Sequence, residues 1–263
     1  MYGKTFHQSG ILATVPLVNR YNYRYYGCAV AYVEIEGADG TPHLGSAFHI
    51  GDGVFVTARH VVDRGGVKML ATTKPHRTPV IVDPSRGLDE WKSIGPFGGT
   101  PTGPFLSDPD TDVAILVLDS ARELPALRLG EHLSDRDADE MVLKGATIMG
   151  YPRVPMTKDP PLLVALSAEI NAETGTYRNG NRYFIASSMA RGGFSGGPVV
   201  VEDLNPVVIG LVTESFCVDD HPPELGFMAV LSVDAIVRCL LRHKMIPAAQ
   251  RVGDGWRGAW QPD

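Results

Sequence analysis

The sequence is poor in several things, and each shortage removes a class of protein. Only three cysteines stand in 263 residues, Cys28, Cys217 and Cys239. An odd, sparse set is no disulfide framework, so buried free thiols in a reducing compartment are expected, with at most one bridged pair. Apolar runs are short, and nothing approaches the roughly 18 consecutive apolar residues of a membrane span. The N-terminal MYGKTFHQSGILATVPLVNR has neither a continuous apolar core nor a small-residue cleavage site, so it does not read as a secretory leader. With the initial Met, this makes the cytoplasm the expected location. Basic excess is missing too: 24 Lys and Arg face 30 Asp and Glu, which leaves no footprint for nucleic acid. HExxH and Cys/His clusters at ligand spacing are absent, so neither a metal nor another cofactor is expected.

Glycine and proline, by contrast, are plentiful at 29 and 20, and they punctuate short β-like runs. The first half offers candidate strands at Cys28–Glu36, Leu44–Ile50, Gly53–Ala58, Val67–Thr72, Pro79–Val82 and Val113–Leu118. The second half offers Ala146–Tyr151, Leu162–Asn171, Arg182–Ala186, Pro198–Val201, Val207–Thr213 and Phe227–Leu231. Six runs in each half suit an all-β fold of two six-stranded antiparallel barrels, which leave few strand edges bare. The expected organisation is an N-terminal extension (1–26), a first barrel (27–118), a connector (119–144) and a second barrel (145–231). A C-terminal helix (232–246) and a loose tail (247–263) complete it. Within the helix, Val233–His243 carries an apolar stripe of Ile236, Val237, Leu240 and Leu241, with Asp234 early and Arg242 late to suit its dipole. Pro84–Pro109 reads as a long Gly/Pro-rich insertion without periodicity.

Chemistry concentrates in Gly192-Gly193-Phe194-Ser195-Gly196-Gly197-Pro198. Glycines on both sides of a lone Ser free the backbone for conformations that a Cβ forbids. Such a turn can aim the amides of Gly193 and Ser195 at one point, as an oxyanion hole requires. A Ser hydroxyl is a poor nucleophile until a base takes its proton, so the motif calls for a partner His. His60 stands at the exit of the run Gly53–Ala58, beside small residues. Asp112 stands at the mouth of the apolar run Val113–Leu118, with Asp108 and Asp110 as neighbouring acids. Each of the last two is ordinary alone; the order His, Asp, Ser, each at a strand edge, is not.

Taken with Gly45-Ser46-Ala47-Phe48 ahead of the His, these segments resemble the trypsin-like, chymotrypsin-fold serine peptidases, their bacterial branch above all. The family's GSAF-like strand, TA-x-H, D-V-A-I-L and G-x-SGGP elements all stand here in order, across roughly Cys28 to His243. The resemblance implies a serine endopeptidase acting on a polypeptide, with Ser195 as nucleophile, His60 as base, Asp112 as its orienting acid, and Gly193 with Ser195 as oxyanion hole. It also implies a substrate pocket framed by Met189, Thr213, Glu214, Ser215 and Gly226. Met189 takes the place where trypsins hold an acid, so an apolar side chain is expected there; Glu214 at the rim favours a basic residue at a neighbouring subsite. Phe194 replaces the Asp that in many secreted members pairs with a cut N-terminus, and the family's cysteines flanking the active-site His are missing. Both departures point to a non-secreted enzyme, always competent or switched by a regulatory partner or larger assembly.

Three rivals remain at this level. Gly193-Phe194-Ser195-Gly196-Gly197 also satisfies the G-x-S-x-G nucleophile elbow of esterases, which needs a strand before it and a helix after. A catalytically silent trypsin-like binding module would keep the fold without the turnover. A metal-dependent hydrolase finds no ligand set.

Overall fold

The computed structural model describes residues 15–83, 88–130, 140–157, 159–177, 180–188, 192–201, 206–215, 227–252 and 255–256. After a helix α1 (Val15–Tyr26), the first half carries β1 (Val30–Gly37), β2 (Pro42–Gly51) and β3 (Val54–Thr57). A helical turn α2 (Arg59–Val62) follows, then β4 (Gly65–Thr72), β5 (His76–Asp83), β6 (Leu88–Ile94), β7 (Gly98–Gly99), β8 (Thr102–Leu106) and β9 (Ala114–Val117). The second half carries β10 (Gly145–Gly150), β11 (Val164–Tyr177), β12 (Asn181–Ser187), β13 (Pro198–Val201), β14 (Val207–Ser215) and β15 (Phe227–Ser232), and ends in helix α3 (Val233–Arg242).

The second half closes into a six-stranded barrel in the order β10-β11-β12-β15-β14-β13. Its strands read as unbroken apolar runs because they serve two cores at once. Val199, Val201, Ile209, Val212, Met228 and Val230 fill the barrel. Their alternates Val200, Val208, Leu211, Ala229 and Leu231 face outward into the core shared with the first half and α3. Side chains alternate across a strand, so each face needs its own apolar set.

The first half is a curled sheet of seven strands, β7-β4-β1-β2-β3-β9-β8, and not a closed barrel of six. The difference comes from the segment read as an insertion. Among its described residues, Pro84–Pro109 is no loop: it supplies β6, β7 and β8. β7 and β8 occupy opposite edges of the sheet, and β6 pairs only with β5 as a separate hairpin. Strands with little core to fill need little alternation, which is why periodicity did not reveal them.

The described residues toward both ends are also held more firmly than their composition suggests. Helix α1, rich in Tyr and Asn and so of modest propensity, is held by packing on β10, where Asn22 Nδ2 donates to Thr147 Oγ1 at 3.5 Å. In the segment read as a loose tail, Gln250 is buried. Its Nε2 donates to the carbonyls of Ile50 (2.7 Å) and Leu127 (2.9 Å), and its Oε1 accepts from the amide of Leu129 (3.0 Å). Among the described residues no helix is long and apolar enough to cross a membrane. Cys28 and Cys239 are buried free thiols; Cys217 lies outside the described residues.

His49 on β2 is fully buried. Its Nδ1 meets the carbonyl of Pro125 at 3.1 Å, and its Nε2 accepts from the amide of Gly53 at 3.0 Å. That second bond requires a neutral ring, and burial pushes the imidazole down to about 4. Between pH 6.5 and about 4 the unfolded chain takes up a proton that the folded one refuses, so stability falls as the pH falls, by about 3 kcal/mol for such a shift. Denaturant unfolding at a series of pH values should show this loss, and His49→Asn should flatten it. An unchanged slope in the variant would remove His49 as its source.

Candidate active site

β3 runs out at Thr57, Ala58 stays extended, and α2 opens with Arg59 and His60. This sharp turn leaves the His60 ring one-third exposed at the seam between the halves. Asp112 meets it with both carboxylate oxygens: Oδ2 lies 2.8 Å from His60 Nδ1, and Oδ1 accepts from the His60 amide at 2.8 Å. A carboxylate at Nδ1 keeps a proton there and leaves Nε2 as the free base.

The Asp112 loop is itself pinned from three sides. Ser107 Oγ donates to the carbonyl of Thr111 and accepts from the amide of Val113. Arg59 Nη1 donates to the carbonyl of Ser107 at 3.2 Å. From the other half, Asn181 Nδ2 reaches the carbonyl of Asp110 (3.3 Å) and Thr111 Oγ1 (3.4 Å). Asn181 is in turn held by Arg238 of α3. Of the neighbouring acids, Asp108 pairs outward with Arg242, and only Asp112 reaches the imidazole.

The Ser195 turn is shaped by contacts that admit no side chain at Gly193, Gly196 or Gly197. At Gly193 (φ +105°) a Cβ would fall 2.3 Å from the carbonyl oxygen of Tyr151, and at Gly196 (φ +84°) 2.1 Å from that of Ser46. Phe194 packs into the barrel core, almost fully buried. Among the described residues, the amides of Gly193 and Ser195 donate to no protein acceptor, which leaves them available to an incoming oxyanion. Ser195 Oγ donates to the carbonyl of Thr213 at 3.2 Å, and the His60 ring is not its acceptor in this pose.

Sequence reading missed the residue that holds this turn, although it quoted the segment. Ser46 is fully buried between the halves. Its amide donates to the carbonyl of Ser195 (2.8 Å), its Oγ donates to the carbonyl of Gly193 (2.6 Å) and accepts from the amide of Tyr151 (2.9 Å). Its carbonyl accepts from Thr57 Oγ1 at 2.7 Å. Tyr151 then fixes its own hydroxyl between the carbonyl of Val30 (3.1 Å) and the amide of Thr73 (3.3 Å). The one available signal was a hydroxyl among the small and apolar residues Gly45, Ala47 and Phe48 of a central strand.

The pocket residues are only partly placed. Met189 and Gly226 lie outside the described residues. Glu214 and Ser215 end β14, opposite Ala229 and Met228. Thr213 offers Ser195 its carbonyl while its own hydroxyl turns away to the carbonyl of Ala229. Among the described residues no three His, Cys, Asp or Glu side chains converge as a metal site.

A family model described as a trypsin-like peptidase domain matches residues 45–211. No curated protein matches the sequence. Solved structures share the chymotrypsin-like fold. The Rv3671c protease of M. tuberculosis, active form, is 20% identical with a TM-score of 0.61, over 97% of this chain and 99% of that one. Its inactive form is also 20% identical, with a TM-score of 0.54 over 86% and 94%. The HtrA-type protease AlgW with a tripeptide is 18% identical, with a TM-score of 0.58 over 87% of this chain. The chain spans 63% and 65% of the length of the two AlgW structures it matches.

Removing the Ser46 hydroxyl should loosen the Ser195 turn without touching the nucleophile. Ser46→Ala leaves the buried amide of Tyr151 unpaired, costing about 1–3 kcal/mol of stability. It should lower the labelling rate of Ser195 by a fluorophosphonate about tenfold or more. A folded variant that labels as fast as the parent would refute this role.

Proposed function

The chain belongs to the trypsin-like peptidase family, and from that premise we propose that it is a serine endopeptidase with His60, Asp112 and Ser195 as its catalytic triad. The observation that carries this reading is the pair of hydrogen bonds that Asp112 accepts from the ring and amide of His60. It fixes tautomer and orientation together, which is the work of the acid in such a triad.

In the proposed cycle, rotation about χ1 swings Ser195 Oγ from the carbonyl of Thr213 to His60 Nε2. The hydroxyl attacks the scissile carbonyl while His60 takes its proton. The developing oxyanion is met by the amides of Gly193 and Ser195. His60⁺, steadied by Asp112, then protonates the leaving amine, and the C–N bond breaks to give the acyl-enzyme. Water, deprotonated by the same imidazole, attacks the ester and releases Ser195.

The preference for an apolar residue before the cleaved bond is part of the proposal and rests on Met189 in the sequence, with Glu214 as the feature favouring a basic neighbour. The buried free thiols of Cys28 and Cys239 support cytoplasmic placement. Control by a regulatory partner is supported by the resting bond of Ser195 to Thr213, and a protease of similar fold is known in active and inactive forms. That same bond is what favours the second reading, a silent binding module. The esterase reading falls with the fold: β13, and no helix, follows the nucleophile.

Intact-mass detection of fluorophosphonate labelling, with Ser195→Ala and Asp112→Asn beside the parent, tests the triad. In related serine proteases such changes cost about a millionfold and about ten-thousandfold in turnover. Labelling that the alanine variant abolishes supports the triad; a parent that stays unlabelled, alone and with cell extract, supports the silent module. A peptide library should then show cleavage after Leu, Met or Phe, and a preference for Lys or Arg would overturn the apolar pocket.

A further inference from the structure

On the face of the first half, where α1 crosses the start of β5, lies a cavity of about 670 Å³. Its polar walls are cationic: Arg24 from the helix, Lys74 from the turn before β5, and Arg77 from β5 itself, with His76 beneath. This is out of character for a chain with a formal charge of −6. Among the described residues, neither Arg24 nor Arg77 has an ion pair or a side-chain hydrogen bond. Lys74 is fixed in place: its ammonium donates to the carbonyl of Tyr23 at 3.0 Å and sits 3.6 Å from the centre of that ring. That leaves donors unused. Burial first, and Arg24 as an unfavourable neighbour, lower the ammonium's proton affinity; the opposing influence is the Cys28 thiol, with no carboxylate among the described contributors.

Three gathered cations with no carboxylate partner among the described residues repel one another, and a bound anion would relieve that repulsion. Two guanidinium forks and an ammonium match the oxygens of a phosphate chain. The apolar wall has equally definite chemistry. Tyr21 and Tyr25 stack on each other with centroids 5.7 Å apart and planes 5° apart, and Tyr25 meets His76 edge-on. Both Tyr rings stay about half exposed, forming a flat aromatic ledge beside the cations. Flat π-faces of this kind stack nucleobases, and the volume is that of a small-molecule site.

We propose that this cavity binds a free nucleoside phosphate, with its phosphates on Arg24, Lys74 and Arg77 and its base against the Tyr21–Tyr25 ledge. A longer polyanion would run from three cations onto an acidic molecule, so the single nucleotide fits better than a strand.

Calorimetric titration of the full chain with ATP, pyrophosphate, adenosine and a single-stranded oligonucleotide tests it. ATP should bind more tightly than pyrophosphate or adenosine. The double variant Arg24→Ala/Arg77→Ala should weaken ATP and pyrophosphate by at least tenfold, whereas Tyr21→Ala should weaken ATP about tenfold and spare pyrophosphate. Thermal midpoint and Ser195 labelling should be unchanged, since these side chains touch neither core nor active site. The proposal is overturned by absence of ATP binding at millimolar concentration, by equal ATP binding in the double variant, or by a Tyr21 variant that binds ATP normally. Oligonucleotide affinity that climbs with length above that of ATP would overturn it in favour of a strand.

Discussion

Every backbone and side-chain polar group of Ser46 is engaged, and three of its four bonds reach into the opposite half of the molecule. Ser195 stands in the barrel of the second half and His60 beside the sheet of the first, so their alignment depends on how the two halves meet. Ser46 sets that meeting at the nucleophile itself, through the carbonyls of Gly193 and Ser195. Because the site is buried, each of these bonds would be costly to leave unmade. The two halves therefore cannot slide without breaking a bond adjacent to the oxyanion amides. Asn181 does the same work at the acid, carrying a side chain from the second barrel to the Asp112 loop of the first.

Phe194 complements this polar joint with an apolar one. In the family's secreted members that position is described by charge pairing; here a nearly fully buried ring ties the turn to the barrel core. A Cβ on Gly150 would fall 2.8 Å from Phe194 Cδ1, so the barrel wall opposite is already reduced to its backbone to accommodate the ring. The turn's position is thus a property of core packing.

Much of this was readable in the residues. Runs such as Val113–Leu118 and Pro198–Val201 are apolar throughout because both faces are covered, and they proved to be strands. The glycines around Ser195 announced a backbone that no side chain could follow. What stayed hidden depends on tertiary partners. β7 and β8 are short edge strands, Gly-Gly and Thr-Gly-Pro-Phe-Leu, whose pairing, and not their pattern, makes them strands. Helix α1 is stabilised by what it rests on. Ser46 and Asn181 carry no local signature of their roles, since a buried hydroxyl or amide is explained only by the groups it satisfies. Ser195 facing Thr213 is a choice of rotamer, which lies below the resolution of any sequence pattern.

Gln250 has a temporal consequence. It closes the backbone of Ile50, Leu127 and Leu129, while α3 supplies Arg238 to Asn181 and Arg242 to Asp108 beside the Asp112 loop. Gln250, Arg238 and Arg242 all follow His60, Asp112 and Ser195 in the sequence. During synthesis these outer supports leave the ribosome after His60, Asp112 and Ser195, whereas Ser46 leaves it before them. A nascent chain that lacks α3 therefore holds Asn181 and Asp108 without their arginine partners, and the Asp112 loop gains this outer layer of contacts only once α3 has docked.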